Sequence, residues 1–174
     1  MSAHLILTVI GDDRPGLVES LATTIAAHQG SWLESSMSQL SGKFAGIVRV
    51  SAPATQVAAL KGALAALPGL RVTAEEAQAS EPPASVRRLK LSLVGHDRVG
   101  IVREVSQVLA RHAVNVEDLA THTASAPMSA DILFHAVAEL TAAPTLDARA
   151  LIADLERISN DLMVDINLDE TIRK

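Results

Sequence analysis

One octet occurs twice in the chain and constrains the fold more than any other feature. Gly-Asp-Asp-Arg-Pro-Gly-Leu-Val at residues 11–18 returns as Gly-His-Asp-Arg-Val-Gly-Ile-Val at residues 95–102, an offset of 84 residues. The offset holds without a gap beyond the octet, since Leu7 falls on Leu91 and His28 on His112. A fixed period indicates one structural unit used twice. The sequence therefore predicts two small domains of the same fold.

Each copy of the octet lies between an apolar run and an amphipathic pattern, which predicts a strand, a turn and a helix. In the first copy we expect the helix over residues 15–28, with Pro15 in its first turn and Gly30 ending it. Two runs around Ser41-Gly42-Lys43 predict a hairpin, and a second helix and an alternating strand follow. The order βαββαβ predicts a four-stranded antiparallel sheet with both helices on one face, the ferredoxin-like plan.

The second half predicts the same order of elements. Residues 115–123 and 129–139 are expected to pair across a loop at residues 124–128. Thr145 is the predicted N-cap of the last helix, and residues 162–168 alternate as a last strand. The predicted fold class is therefore α+β, with two tandem ferredoxin-like units.

The domain boundaries follow from a stretch without apolar periodicity. Residues 76–85 contain two adjacent prolines, which favour extended chain. We expect a first domain over residues 1–77, a linker over 78–86 and a second domain over 87–174. Each predicted sheet leaves two edge strands, so we expect the units to pack side by side or the chain to form a homodimer.

Composition excludes several classes of function. The chain has no cysteine, so it can form neither a disulfide nor a thiolate metal site. Its net charge of −5 disfavours direct binding to nucleic acid, and aromatic residues are too few, at 2%, for an RNA-stacking sheet. It shows neither a signal peptide pattern nor the run of about 20 apolar residues that spans a bilayer. We expect a cytoplasmic protein that does not bind membranes.

The repeated octet has the Gly-x-x-x-x-Gly spacing of a phosphate-binding loop but not its chemistry. Such a loop continues with Lys and Ser or Thr, whereas this chain continues with Leu17-Val18 and places carboxylates inside the loop. A better account is that Gly16 and Gly100 leave backbone N–H groups at a helix start unobstructed. Those groups favour a carboxylate, and Asp13 or Asp97 can take an ammonium. The turn is thus suited to a zwitterionic amino acid.

A simpler alternative remains open for the same residues. Asp13 and Asp97 are equally well explained as side-chain N-caps, with Arg14 and Arg98 solvated. Duplication does not decide between the two interpretations, because both copies would inherit caps as readily as sites.

The six histidines raise the question of a metal site. No two have the spacing of a helical His-x-x-x-His pair, and the predicted hairpin register places His122 opposite about Ala130 and His135 opposite about Glu117. His28 and His112 are expected at helix C-termini, where a cation is favoured. We therefore predict no metal site and no cofactor.

Nothing in the sequence predicts catalysis. It has no Gly-x-Ser-x-Gly motif and no cysteine nucleophile. The serine-rich residues 35–38 fit the solvated face of an edge strand better than a phosphorylation site, and Trp32 fits a core position slightly better than an interface. We predict a protein that is not an enzyme.

The turn Asp-Arg-Pro-Gly-Leu-Val, the helix after it and Asn115-Val116-Glu117-Asp118-Leu119 resemble the ACT domain, a ferredoxin-like module that senses amino acids. The resemblance covers nearly the whole chain as two tandem copies. It implies a ligand at an interface between two modules, held by the turn of one and the start of the second strand of the other. Carried over by position, the ligand-binding residues are Asp13, Gly16, Leu17, Asp97, Gly100, Ile101 and Asn115.

The two copies depart from the ACT pattern in different places. Ser31 stands at the position of Asn115, and Val99 stands at the position of Pro15. These departures leave open whether both turns are working sites.

Free-standing tandem ACT chains of this size are similar to the family of glycine cleavage system transcriptional repressors. That resemblance implies a cytoplasmic regulator that answers to a small amino acid, glycine, and restrains a transcriptional activator by protein contact. Two alternatives stay open: a regulatory subunit of an amino-acid metabolic enzyme, and an assembly module without a ligand.

Overall fold

The chain forms two compact units, residues 1–81 and 82–174. The computed structural model describes residues 1–77, 86–126, 131–158, 160 and 163–169, and for 164–169 it describes the backbone alone. The predicted linker at residues 78–86 lies outside the described residues except at its last position.

The first unit has the predicted element order. The elements are β1 Ser2–Asp12, α1 Leu17–Ala27, β2 Ser31–Leu40, β3 Lys43–Pro53, α2 Val57–Ala65 and β4 Leu70–Glu76. A short 3-10 turn at Ala54–Gln56 precedes the second helix. The strands form an antiparallel sheet in the order β2-β3-β1-β4.

The second unit repeats this plan. The elements are β5 Arg87–His96, α3 Ile101–Arg111, β6 Asn115–Ser125, β7 Ile132–Ala142, α4 Ala148–Glu156 and β8 Met163–Asp169. The sheet has the order β6-β7-β5-β8, and all its strand pairs are antiparallel. The predicted fold class, two tandem ferredoxin-like units, is confirmed.

Aliphatic side chains fill the space between each sheet and its two helices. In the first unit the alternate residues Leu5, Leu7 and Val9 of β1 are buried, as are Leu21 of α1 and Leu60 of α2. Trp32, which was expected in the core, is half-buried and packs against its edge. The core of the second unit follows the same plan, with Leu89, Leu91 and Leu93 of β5 buried. Each sheet therefore has one face under helices and one open face.

The ends of the first helix differ from the prediction. Pro15 precedes the N-cap, Gly16, and so lies outside the helix. Gly30 does not supply the left-handed residue after α1, because Gln29 adopts φ 58° there, and Ala113 at the matching position after α3 adopts φ 53°. Both copies thus end their first helix with a left-handed residue that is not glycine.

The start of the last helix also differs from the prediction. The N-cap of α4 is Asp147, not Thr145. Its Oδ1 accepts hydrogen bonds from the N–H groups of Arg149 at 3.0 Å and Ala150 at 3.1 Å. The carboxylate of Asp147 accepts these bonds and also interacts favourably with the positive end of the helix dipole. The hydroxyl of Thr145 would provide only the hydrogen bond, so Asp147 is the better N-cap.

The predicted register of the second hairpin is wrong by several residues. His122 lies directly opposite His135, not opposite Ala130. The connection between β6 and β7 is centred later than predicted, and a bulge lies between Val116 and Asp118. The residues of the connection, 127–130, lie outside the described part of the chain. The two histidines therefore converge, contrary to the expectation from sequence.

A hydrogen bond between side chains joins the two helices of the second unit. His112, the C-cap of α3, contacts Asp154 of α4 through its Nε2 at 2.8 Å from Oδ2. Arg157 donates to the other oxygen of Asp154 at 2.7 Å. The hydrogen bond from His112 and the charge of Arg157 hold the pKa of Asp154 below its ordinary value.

Replacing the buried leucine at matching positions in the two units should destabilise each unit. Leu7→Ala and Leu91→Ala each remove a side chain that is at most 2% exposed, and such changes cost about 2–5 kcal/mol. Urea denaturation followed by circular dichroism measures the change. Val99→Ala is the control, because Val99 is fully exposed. An unchanged midpoint for both leucine variants would contradict the described cores.

Asp154→Asn should lower thermal stability at neutral pH and have a smaller effect in acid. The pKa of Asp154 is lower in the folded state, so its contribution is complete above the ordinary value of 3.8 and is lost as pH falls through the folded value. Melting temperatures of wild type and variant should converge at low pH. A difference that stays constant across this range would refute the ionic contribution.

Candidate functional site

The repeated turn places a left-handed glycine at the start of a helix in both units. Gly16 is the N-cap of α1 with φ 89°, and Gly100 is the N-cap of α3 with φ 92°. A residue with a Cβ is strained at this φ, so glycine is required by the backbone itself. Neither N-cap makes a side-chain capping bond. The octet is therefore a strand-to-helix turn, as predicted.

This geometry leaves amides of the first helical turn available. In α1 the first i→i−4 hydrogen bond runs from the N–H of Ser20 to the carbonyl of Gly16, at 2.9 Å. The amides of residues 17–19 precede this bond and have no carbonyl acceptor within the helix. In α3 the N–H of Ile101 already donates to the carbonyl of Arg98 at 3.3 Å. The first turn thus presents its amides more fully than the second. The side chains of Leu17 and Ile101 are both buried, so each could offer a ligand only its backbone.

The interpretation of Asp13 and Asp97 as N-caps is wrong, because Gly16 and Gly100 hold those positions. Both aspartates are exposed. The backbone N–H of Asp13 donates to Gly42 O, and that of Asp97 donates to Ile132 O, each at 2.9 Å. These bonds fix the backbone of each turn against the next hairpin and leave the carboxylate beside the helix start.

The arginines of the two turns are held in different ways, not simply solvated. Arg14 donates to the carbonyl of Pro68 at 2.9 Å and lies against Gly69, where an added Cβ would come within 2.4 Å of its Nη2. Arg98 donates to Glu104 at 2.5 Å. That hydrogen bond holds the pKa of Glu104 below its ordinary value. Each arginine therefore braces its own turn.

A surface hollow of about 260 Å³ lies beside the first turn. Three predicted residues, Asp13, Gly16 and Leu17, line it together. The other lining residues were not predicted as ligand-binding. Phe44 could not be predicted from the octet, because it belongs to β3 and reaches the turn through the pairing of β3 with Gly11 of β1. The residues lining the hollow are Asp13, Arg14, Gly16, Leu17, Val18, Glu19 and Phe44.

Close approach of two backbones explains why the first octet begins with a glycine. A Cβ on Gly11 would lie 2.3 Å from the carbonyl oxygen of Gly69, which no side chain tolerates. Gly11 lies within β1. Its lack of a side chain lets the chain before β4 pass close beside the end of this strand.

Asn115 does not lie with the turn of its own unit. It is the first residue of β6 and pairs with Thr141, which in turn faces Arg88 near the start of β5. The turn follows the other end of β5, so Asn115 and Gly100 are at opposite ends of the sheet. Within one unit, the structure brings together only part of the predicted set.

The two units differ in the groove between the first helix and the edge strand. In the second unit an apolar cavity of about 30 Å³ lies there, and Val102, Val116 and Leu119 at its margin are 39–51% exposed. At the positions of Val116 and Thr121 the first unit has Trp32 and Met37, which pack against its core. Large side chains therefore fill this groove in the first unit, and smaller side chains leave it open in the second unit.

Among the described residues, no group of three or more histidine, aspartate or glutamate side chains is placed to bind a metal ion.

No helix in the part of the chain that the structure describes is long and apolar enough to cross a membrane.

Comparison with known proteins identifies the fold family. Residues 3–69 match the sequence model of the ACT domain. These residues make up most of the first unit. The second unit has the same topology, so the chain has a tandem ACT-like fold. No curated protein sequence matches the chain.

Two solved structures match the tandem arrangement over almost the full length of both chains. A protein of unknown function from Galdieria sulphuraria is 27% identical, with 97% of this chain and 99% of that chain covered and a TM-score of 0.81. A candidate glycine cleavage system transcriptional repressor is 16% identical, with 97% and 98% covered and a TM-score of 0.73. The second likeness shows the shared fold.

Gly16→Ala should destabilise the protein, because alanine at φ 89° is strained by about 1–2 kcal/mol. Gly62→Ala is the matched control. Gly62 lies within α2 and an added Cβ meets nothing within 4 Å, so this change should stabilise by about 0.5–1 kcal/mol. Urea denaturation midpoints should move in opposite directions. A stabilising Gly16→Ala would show that the turn does not need a left-handed residue.

Proposed function

We propose that this chain is a regulatory protein without catalytic activity that binds a small amino acid at its strand-to-helix turns. The observation that carries the proposal is the hollow beside Gly16, where uncapped helix amides and the carboxylate of Asp13 lie together. Amides at a helix start attract an anion. A carboxylate attracts a cation. An amino acid zwitterion satisfies both.

Charge in the turn argues for an amino acid over a phosphorylated ligand. Asp12 and Asp13 lie in the first turn, where Lys43 pairs with Asp12 and lowers its pKa, and the carboxylate of Asp13 is exposed. A phosphate dianion at the helix start would lie close to the carboxylate of Asp13, which is unfavourable. The carboxylate of an amino acid carries its own ammonium a few bonds away, which offsets that repulsion.

We propose glycine as the ligand and control of transcription as the outcome. The support is the likeness in fold to the candidate glycine cleavage system transcriptional repressor. ACT domains in general bind amino acids and regulate other proteins, and a net charge of −5 favours action through a protein partner over direct DNA binding. The partner we propose is a transcriptional activator in the cytoplasm.

The position of Asn115 adds a proposal about assembly. Since Asn115 lies at the far end of its own sheet from Gly100, it can join a turn only if that turn belongs to another ACT-like unit. We propose that a complete site forms in a homodimer, where the start of β6 of one chain meets a turn of its partner.

Isothermal titration calorimetry with glycine tests the ligand-binding proposal. Asp13→Asn and Asp97→Asn remove a charge at constant shape, and loss of a charge-assisted hydrogen bond should weaken binding by roughly one to two orders of magnitude. Asp12→Asn is the control, because Lys43 already holds that carboxylate. Acetate and methylamine each lack one charge of the zwitterion and should bind more weakly than glycine.

Two results would contradict the ligand-binding proposal. Equal affinity in both aspartate variants would show that the turns only shape the fold. Absence of heat and of thermal stabilisation with every amino acid would remove the sensing role and leave an assembly module.

Capture of partners from a lysate with and without glycine tests the regulatory part. Glycine-dependent recovery of a transcriptional activator is the expected result. Recovery of a metabolic enzyme in its place would overturn the proposed control of transcription.

A further inference from the structure

The open face of the second sheet carries a pair of stacked histidines. His122 of β6 and His135 of β7 are direct cross-strand partners. Their ring centroids are 4.7 Å apart and their planes differ by 2°. His122 is exposed and His135 is half-buried, so solvent reaches both. The pair does not take part in the turn or in the proposed amino-acid site.

Strand alternation fixes both side chains on the face away from the helices. Phe134 and Ala136, on either side of His135, are buried in the core, so His135 must point to the opposite face. The same alternation places its direct partner His122 there. The two imidazoles therefore meet because of the backbone register and do not depend on a loop conformation.

The side chains directly beside the pair on this face are aliphatic. The flanking cross-strand pairs are Ala120 with Val137 and Ala124 with Leu133, and Val94 of β5 lies opposite His135. None of these side chains can donate or accept a hydrogen bond. The diagonal neighbours on β5 are polar, with Ser92 opposite Val137 and His96 opposite Leu133.

We propose that His122 and His135 form a two-imidazole binding site for a borderline divalent transition metal ion such as Zn²⁺. Neutral imidazole is a preferred ligand of zinc, copper and nickel. Direct cross-strand partners have Cβ atoms about 4.5–5.5 Å apart. Two nitrogens at about 2.0–2.1 Å from a tetrahedral zinc are about 3.3 Å apart. A turn of the exposed His122 ring out of the stack brings the two side chains to that separation.

A site with two protein ligands keeps open coordination positions. Zinc is usually four-coordinate, so water or a donor from a bound molecule completes the shell. The site is accordingly expected to bind and exchange its ion, in contrast to a closed structural site.

The first unit provides an internal comparison. At the equivalent cross-strand pair it has Ser38 opposite Ala45, on the same open face. A hydroxyl and a methyl group cannot replace two imidazoles as zinc ligands. The proposed site is therefore specific to the second unit, and the first unit is a scaffold on which it can be rebuilt.

Titration of the untagged full chain with zinc sulfate by calorimetry tests the proposal. One zinc per chain is expected for wild type. Since loss of an outer-shell partner alone costs about 10- to 100-fold in metal affinity, His122→Ala and His135→Ala should each weaken binding by at least about tenfold. His4→Ala is the matched control, because His4 is an exposed strand histidine whose cross-strand partner is Ser51.

A reciprocal graft gives a second, independent readout. The double variant Ser38→His/Ala45→His should raise the stoichiometry from one zinc to two. Circular dichroism melts confirm that each variant is folded. Undetectable zinc binding by the folded wild type, or unchanged affinity in both His122→Ala and His135→Ala, would overturn the proposal. Weakening by His4→Ala alone would also overturn it.

Discussion

Each half of the chain depends on one backbone constraint, a left-handed residue at the junction between the first strand and the first helix. At φ near 90° the chain leaves the sheet and enters the helix within a few residues, and only glycine does so without strain. The constraint also determines what the junction can do. A glycine N-cap has no side chain to bond the first amides of the helix, so no side chain of the cap competes with a ligand for them. The fold and the candidate site thus have the same physical origin.

Duplication copied this constraint, and the surroundings of the two turns then diverged. The first turn has its amides free beside a hollow, and Arg14 braces it against Pro68. The second turn uses the amide of Ile101 within the turn and pairs Arg98 with Glu104. Packing diverged too, since Trp32 closes a groove that Val116 leaves open. The two ACT-like units therefore have one architecture with different surfaces.

The open faces of the sheets diverged in the same manner. Residues there do not pack a core, so the fold tolerates Ser38 opposite Ala45 in one unit and His122 opposite His135 in the other. Freedom from packing lets chemistry-bearing residues accumulate on such a face. The proposed metal site and the proposed amino-acid site accordingly lie on different parts of the fold.

The sequence by itself determined the duplication, the element order and the buried face of the alternating strands β1 and β5. These features depend on local periodicity: alternation at Leu89, Leu91 and Leu93 specifies a strand, and the octet specifies a turn. Local pattern also predicted that Asp13, Gly16 and Leu17 share one turn.

Tertiary structure alone decided the rest, because it depends on pairings between distant residues. The register of the second hairpin places His122 opposite His135. The sequence pattern placed the connection between these strands too early and so predicted a different register. The need for glycine at position 11 comes from the carbonyl of Gly69, and the contribution of Phe44 to the hollow comes from strand pairing. Local sequence patterns cannot predict such contacts, because they join residues that are far apart in the chain and form only when the strands pair in the correct register.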